Sequence, residues 1–152
     1  MAQTIAIASD HAAIELKAAL VAWLHEQGHE VRDLGPATAD SVDYPDYGYR
    51  LAMAIADGEA EKGVALCGSG IGISIAVNRH PAARCALVSD NLSARLAREH
   101  NDANVIAMGA RLVGIDVAKD CLAAFLATPF AGGRHERRRD KLSHPHFTKE
   151  PA

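Results

Sequence analysis

Cys67 stands immediately before Gly68, Ser69, Gly70 and Gly72, at the end of the apolar segment GVALC. A cysteine placed between a strand end and a glycine-rich turn meets converging backbone N–H groups and the N-terminus of the next helix, surroundings that favour a thiolate. The plain alternative is a small apolar residue that only packs, which is the expectation for Cys85 and Cys121. Three kinds of loop share the outline of the glycine run. A dinucleotide fingerprint needs GxGxxG in the first strand–helix unit, whereas this run is GxGxG and comes later; only Asp90, after the following strand, supports that reading. A phosphatase loop of the Cys-x5-Arg kind needs arginine where Ile73 stands, and no Walker lysine with serine or threonine follows. The remaining reading is a nest of donors around an oxygen that gains charge, with a base beside it: enolisation chemistry. Gly68, Gly70 and Gly72 could also form a turn built for close packing alone, although alternating glycines carry an entropic cost that a functional backbone geometry explains.

Other polar groups fall at comparable positions. Asp10 and His11 follow the first apolar segment; either could be an ordinary cap or surface residue, but together they offer a carboxylate for sugar hydroxyls and an imidazole for an anion. His100 and Asn101 close a later helix, where the histidine could also simply interact with the helix dipole. Arg111 follows the last strand, and Arg134, His135 and Arg138 lie in a basic stretch with the two arginines four apart on one helical face, a spacing suited to clamping a phosphate. Arg137, Arg139 and Lys141 read as a solvated basic face, and His25, His29 and His80 as surface residues. Neither C-x2-C nor H-E-x-x-H occurs, so no metal is expected; His144 and His146 sit near the chain end. A thiolate or carboxylate base with fixed donors suffices for proton transfer beside a sugar carbonyl, with a phosphate supplying remote binding energy.

These residues need a scaffold that brings strand ends together. Residues 4–9, 29–33, 63–67, 84–88 and 104–108 read as short strands, separated by helical patterns such as Leu16, Leu20 and Leu24 or Ala118, Leu122 and Phe125. Continuous apolar strands alternating with helices imply a parallel sheet covered on both faces, an α/β fold of three layers. A flavodoxin-like order 2-1-3-4-5 is expected, because it sets Asp10-His11 and the Cys67 loop on either side of the switch point. Residues 1–131 form this Rossmann-like domain, and 132–152 a basic helical extension and tail belonging to the same domain or to a dimer interface.

Composition narrows the partners. The 152 residues, 49% hydrophobic, suffice for one domain with a core. Aromatics at 5% argue against an RNA-stacking platform, and a net charge of −3 against nucleic-acid binding. That mean hides an asymmetry: from Arg134 onward six Lys/Arg oppose three acids, while the rest of the chain is net −6. Three cysteines are too few for a disulfide scaffold, and no apolar run reaches the roughly 20 residues of a membrane span, so a cytoplasmic protein is expected.

Taken together, Asp10-His11, DYP from Asp43, CGSGIGISIA from Cys67, EHNDANVIAMGAR from Glu99 and GGRHERR from Gly132 closely resemble the ribose-5-phosphate isomerase B family, which includes the LacA/LacB galactose-6-phosphate isomerases. The resemblance runs from about residue 4 to 140. It implies a Rossmann-like homodimer, or a tetramer built from such dimers, with active sites completed by both subunits and no metal or organic cofactor. It implies Cys67 as the base between C2 and C1, Ser69 and the amides from Gly70 to Ser74 around the enediolate, and His100 with Asp10 in ring opening. His11, Arg111, Arg134 and Arg138 would hold phosphate, with Asn101 and His135 in support. Another branch of the family places glutamate at the position of Ile73 and lacks the cysteine, so this chain resembles the cysteine-base type; Ser69 stands where close relatives carry threonine. The substrate expected is ribose 5-phosphate. An allose, galactose or tetrose phosphate is the first alternative, and a non-catalytic nucleotide-binding module the second.

Overall fold

A computed structural model describes residues 2–151. Five strands, β1 (Thr4–Ser9), β2 (Glu30–Asp33), β3 (Lys62–Cys67), β4 (Cys85–Leu87) and β5 (Val105–Gly109), form one parallel sheet. The connections hold α1 (Ile14–Glu26), α2 (Tyr44–Ala56), α3 (Ile71–Val77) and α4 (Asn91–Asn101); α5 (Ile115–Ala127) and α6 (Arg134–Ser143) follow the last strand.

Strand alternation sorts the core into two unequal halves. Ile5, Ile7, Val64, Leu66, Ile106 and Met108 point to one face, where α1, α4 and α5 bury Leu20, Leu24, Ala94, Leu122 and Phe125. Ala6, Ala8, Ala65, Cys67 and Ala107 point to the other, under Leu51 of α2 and Ile73 and Val77 of α3. The bulky face supplies most of the apolar burial, at about 1.5–3 kcal/mol per fully buried large side chain. The small face lets α2 and α3 approach closely and puts the Cys67 side chain on their side of the sheet. Because α1 leaves β1 toward one face and α3 leaves β3 toward the other, a crevice opens between the two strand ends, where open α/β sheets bind ligands.

The strand order is β2-β1-β3-β5-β4, not 2-1-3-4-5. All five residues of β5 are buried, whereas β4 has three residues with Leu87 exposed. A strand buried on both faces belongs inside the sheet, and a short half-exposed one tolerates the edge. The Asn78 side chain covers that edge, donating to the Cys85 carbonyl at 2.9 Å and accepting from its N–H at 2.8 Å. The exchange matters for the site. Cys67 now pairs with Gly109, and the chain leaving β5 passes directly beside the glycine loop, with Ala110 N–H on the Cys67 carbonyl and Arg111 N–H on that of Gly68, both at 2.9 Å.

Candidate active site

Cys67, the last residue of β3, is 4% exposed and opens into a cavity of about 670 Å3. The next residues turn back sharply enough for the Gly70 N–H to donate to the Cys67 Sγ at 3.1 Å. That turn requires φ +76° at Gly70, the residue that caps α3, and a Cβ there would lie 2.7 Å from the Met108 carbonyl carbon. Only glycine meets both conditions. The Ser69 hydroxyl accepts from the Ile71 N–H at 3.2 Å and lines the cavity with Gly68 and Gly72. Ser74 does not reach it: its hydroxyl donates to the Ile71 carbonyl at 2.7 Å, within α3.

Opposite the loop, Asp10 is 7% exposed and accepts from the Ala12 N–H at 2.9 Å, which starts the short 3-10 turn His11–Ala13 and fixes the carboxylate at the cavity wall. The His11 Nδ1 accepts from the Val42 N–H at 3.1 Å, so the neutral ring carries its proton on Nε2 and has that donor to offer. Arg111 lies across Gly68 and, among the described residues, enters no ion pair. One thiol with an amide donor, one carboxylate, one imidazole and one free guanidinium therefore share a cavity.

The other sequence-predicted residues lie elsewhere on the chain. His100 and His135 stack with ring centroids 4.5 Å apart and planes 14° from parallel. Burial, then the charges of His100, Arg134 and Arg138, hold His135 below the ordinary histidine range. Arg134 and Arg138 are exposed on α6, and Asn101 borders a different cavity of about 710 Å3 with Arg79, Arg84 and Leu142. None of these five lines the Cys67 cavity. One chain thus carries two separate clusters, one around Cys67 and one where α6 meets the end of α4.

Two sequence readings change. Asp90 is the N-cap of α4, accepting from the Ser93 N–H at 2.7 Å and the Ser93 hydroxyl at 3.0 Å, which removes the feature that favoured a dinucleotide site. Arg139 is not on a solvated face: it donates to Asp102 at 2.8 Å and lies over the Phe130 ring. Sequence reasoning also missed the apolar wall of the cavity, Tyr44, Ile71, Ile75 and Leu112. Proline in the first turn of α2 sets Tyr44 at the mouth, and the four-residue spacing of Ile71 and Ile75 after the glycines was a visible signal.

Fold and site define a doubly wound α/β protein with a crevice at the switch between β1 and β3, where a thiol faces a carboxylate, an imidazole and a guanidinium. The chain belongs to the ribose/galactose isomerase family, whose model matches residues 5–142. It is 42% identical over 139 residues to ribose-5-phosphate isomerase B of Escherichia coli, covering 91% of this chain and 93% of the relative. It is 40% identical over 142 residues to D-erythrulose-4-phosphate isomerase of Pectobacterium atrosepticum, covering 93% of each. The solved structure of a ribose 5-phosphate isomerase from Thermotoga maritima superposes with a TM-score of 0.91 at 48% identity, over 93% of this chain and 98% of that one.

Proposed function

We propose that the chain interconverts D-ribose 5-phosphate and D-ribulose 5-phosphate. The carrying observation is the Cys67 thiol, held by the Gly70 N–H in a cavity that also contains Asp10, His11 and Arg111. Asp10 and His100 assist opening of the furanose, exposing the aldehyde at C1. The Cys67 thiolate removes the proton from C2; the C1 oxygen gains charge and is stabilised by Ser69 and the amides of the glycine loop and first turn of α3. The same thiol returns the proton to C1 while the C2 hydroxyl proton passes to the C1 oxygen, giving the ketone and a C1 hydroxyl with no net change in atoms or electrons. His11, Arg111, Arg134 and Arg138 bind the phosphate, with Asn101 and His135 supporting, so binding energy remote from the reacting carbons orients C1 and C2.

The working unit in this reading is a homodimer in which α6 of one subunit, together with the His100 and Asn101 end of α4 on which it packs, completes the Cys67 site of the other. Two features support it: the basic cluster on α6 is separate from the Cys67 cavity, and exposed Ile71, Ile75 and Leu112 line that cavity. The free thiol of Cys67 suits a reducing cytoplasm. Mixing Cys67→Ala and His100→Ala subunits tests the arrangement. Each variant alone is inactive, whereas random reassociation restores about one quarter of wild-type activity, since half the dimers are mixed and each contains one intact site. No restoration, with mixed dimers demonstrated, overturns the shared site; light scattering separates a dimer from a tetramer.

A shorter or longer aldose phosphate is the second reading, favoured by the similarity to the erythrulose-phosphate enzyme. One methylene in a pocket shifts preference by about 1–3 kcal/mol. Comparing kcat/KM for ribose, allose, galactose and erythrose phosphates decides: ribose 5-phosphate is expected to lead, and a higher value for any other names that sugar instead.

A further inference from the structure

Helix α6 buries none of its side chains, yet it carries two of the arginines assigned above to phosphate. Ten residues without an apolar anchor make a marginal helix in water, so its place on the protein depends on polar contacts. These converge on one residue. Asp102 follows His100 and Asn101 at the end of α4, with φ +47° and ψ +43°. Its Oδ1 accepts from Arg98 at 2.8 Å and its Oδ2 from Arg139 of α6 at 2.8 Å; Arg84 lies 3.5 Å from Oδ2 and also donates to the Asp102 carbonyl at 2.9 Å. Arg84 continues to the Ser143 hydroxyl at the far end of α6, 3.2 Å away.

The spacing on α6 gives this arrangement its consequence. His135 and Arg139 are four residues apart and share one face of the helix, where they meet His100 and Asp102. Arg134 and Arg138, also four apart, occupy the adjoining face and stay exposed. Holding the first face therefore aims the second.

We propose that Asp102 is a positioning residue that fixes α6 on the end of α4 and so presents Arg134 and Arg138 together as an anion-binding pair. The proposal rests on the assignment of these arginines to the substrate's phosphate. Asp102 acts through Arg139 and touches no reacting atom.

Two variants test it in the full-length protein. Asn tolerates the left-handed conformation, so Asp102→Asn keeps the backbone and removes the charge. Arg139→Gln leaves Asp102 paired with Arg98 and Arg84 and removes its tie to α6, along with the Arg139 contacts to Phe130 and Asp140. Both are expected to raise KM for ribose 5-phosphate about ten-fold with kcat changed less than about three-fold, the pattern of lost substrate binding. Arg139→Lys restores part of the loss. Hydrogen exchange of the amides at 134–143 speeds up in Asp102→Asn and Arg139→Gln, while that of β3 does not. Unchanged KM in both variants, or α6 amides as protected as in the wild type, overturns the proposal. An inactive wild type would instead overturn the isomerase assignment; titration of inorganic phosphate and the same exchange measurement would still decide the role of Asp102.

Discussion

Replacing Gly70 by alanine strikes the turn that holds Cys67 without touching the thiol. The backbone there has φ +76°, which costs an L-residue about 1–2 kcal/mol. The added Cβ would also lie 2.7 Å from the Met108 carbonyl carbon and 2.9 Å from its oxygen, backbone atoms of β5 that cannot rotate aside. Forcing a methyl into such a site costs about 1–3 kcal/mol more. A combined loss of about 2–5 kcal/mol lowers Tm by about 4–20 °C at the 2–4 °C per kcal/mol typical of a domain this size. The relief movement carries the Gly70 N–H away from the Cys67 Sγ, and a displacement near 1 Å in a catalytic group costs about 100-fold in rate. Gly58 provides the control. Its φ is +73°, but a Cβ there has nothing within 4 Å, so Gly58→Ala bears the conformational cost alone and keeps full activity. Thermal unfolding and initial-rate kinetics on both variants separate the effects. A Gly70→Ala enzyme with kcat/KM within about two-fold of wild type, or a Gly58→Ala enzyme equally damaged, would refute the reasoning.

Acid titration addresses the Asp102 cluster from another side. Burial opposes ionisation of Asp102, but hydrogen bonds from Arg139 and Arg98 and the charges of Arg98 and Arg84 outweigh it and hold the carboxyl below the ordinary aspartate range. A depressed folded-state pKa adds stability that is fully present above the unfolded value of about 3.9 and is lost as pH falls through the lower folded value. Urea unfolding of Asp102→Asn against wild type is therefore expected to show a stability gap above pH 5 that narrows below pH 4; a constant gap contradicts this. Thiol labelling gives an independent check on the core. Burial pushes Cys85 up to about 12, and burial with the charges of Asp120 and Asp90 pushes Cys121 to about 11. Iodoacetamide at pH 8 is expected to leave both unmodified in the native protein, as read by peptide mass spectrometry; rapid labelling of the buried Cys121 would show that the core opens there, and rapid labelling of Cys85, partly exposed on the β4 edge, would contradict its raised pKa.

The strand and helix pattern was legible because each element has its own apolar period, and the Cys67 loop because its glycines stand at a strand end. Strand order was not, since β4 and β5 are both short and apolar and only their lengths and two-sided burial distinguish edge from interior. That difference decides whether Arg111 neighbours Cys67. The basic stretch was legible as charge but not as two faces, because the partner that separates Arg139 from Arg138 is Asp102, a carboxylate 37 residues earlier in the chain. Tyr44 was legible as part of the DYP motif at a helix start but not as cavity wall, because its place there depends on α2 beginning against the glycine loop, a contact distant in sequence.

Solvent deuterium exchange tests the role of Cys67 most directly. In deuterated water the wild-type enzyme is expected to incorporate deuterium at C2 of ribose 5-phosphate and C1 of ribulose 5-phosphate, followed by NMR. Cys67→Ala is expected to bind the phosphosugar and to incorporate none. Exchange at the wild-type rate in that variant would contradict the assignment of Cys67 as the base.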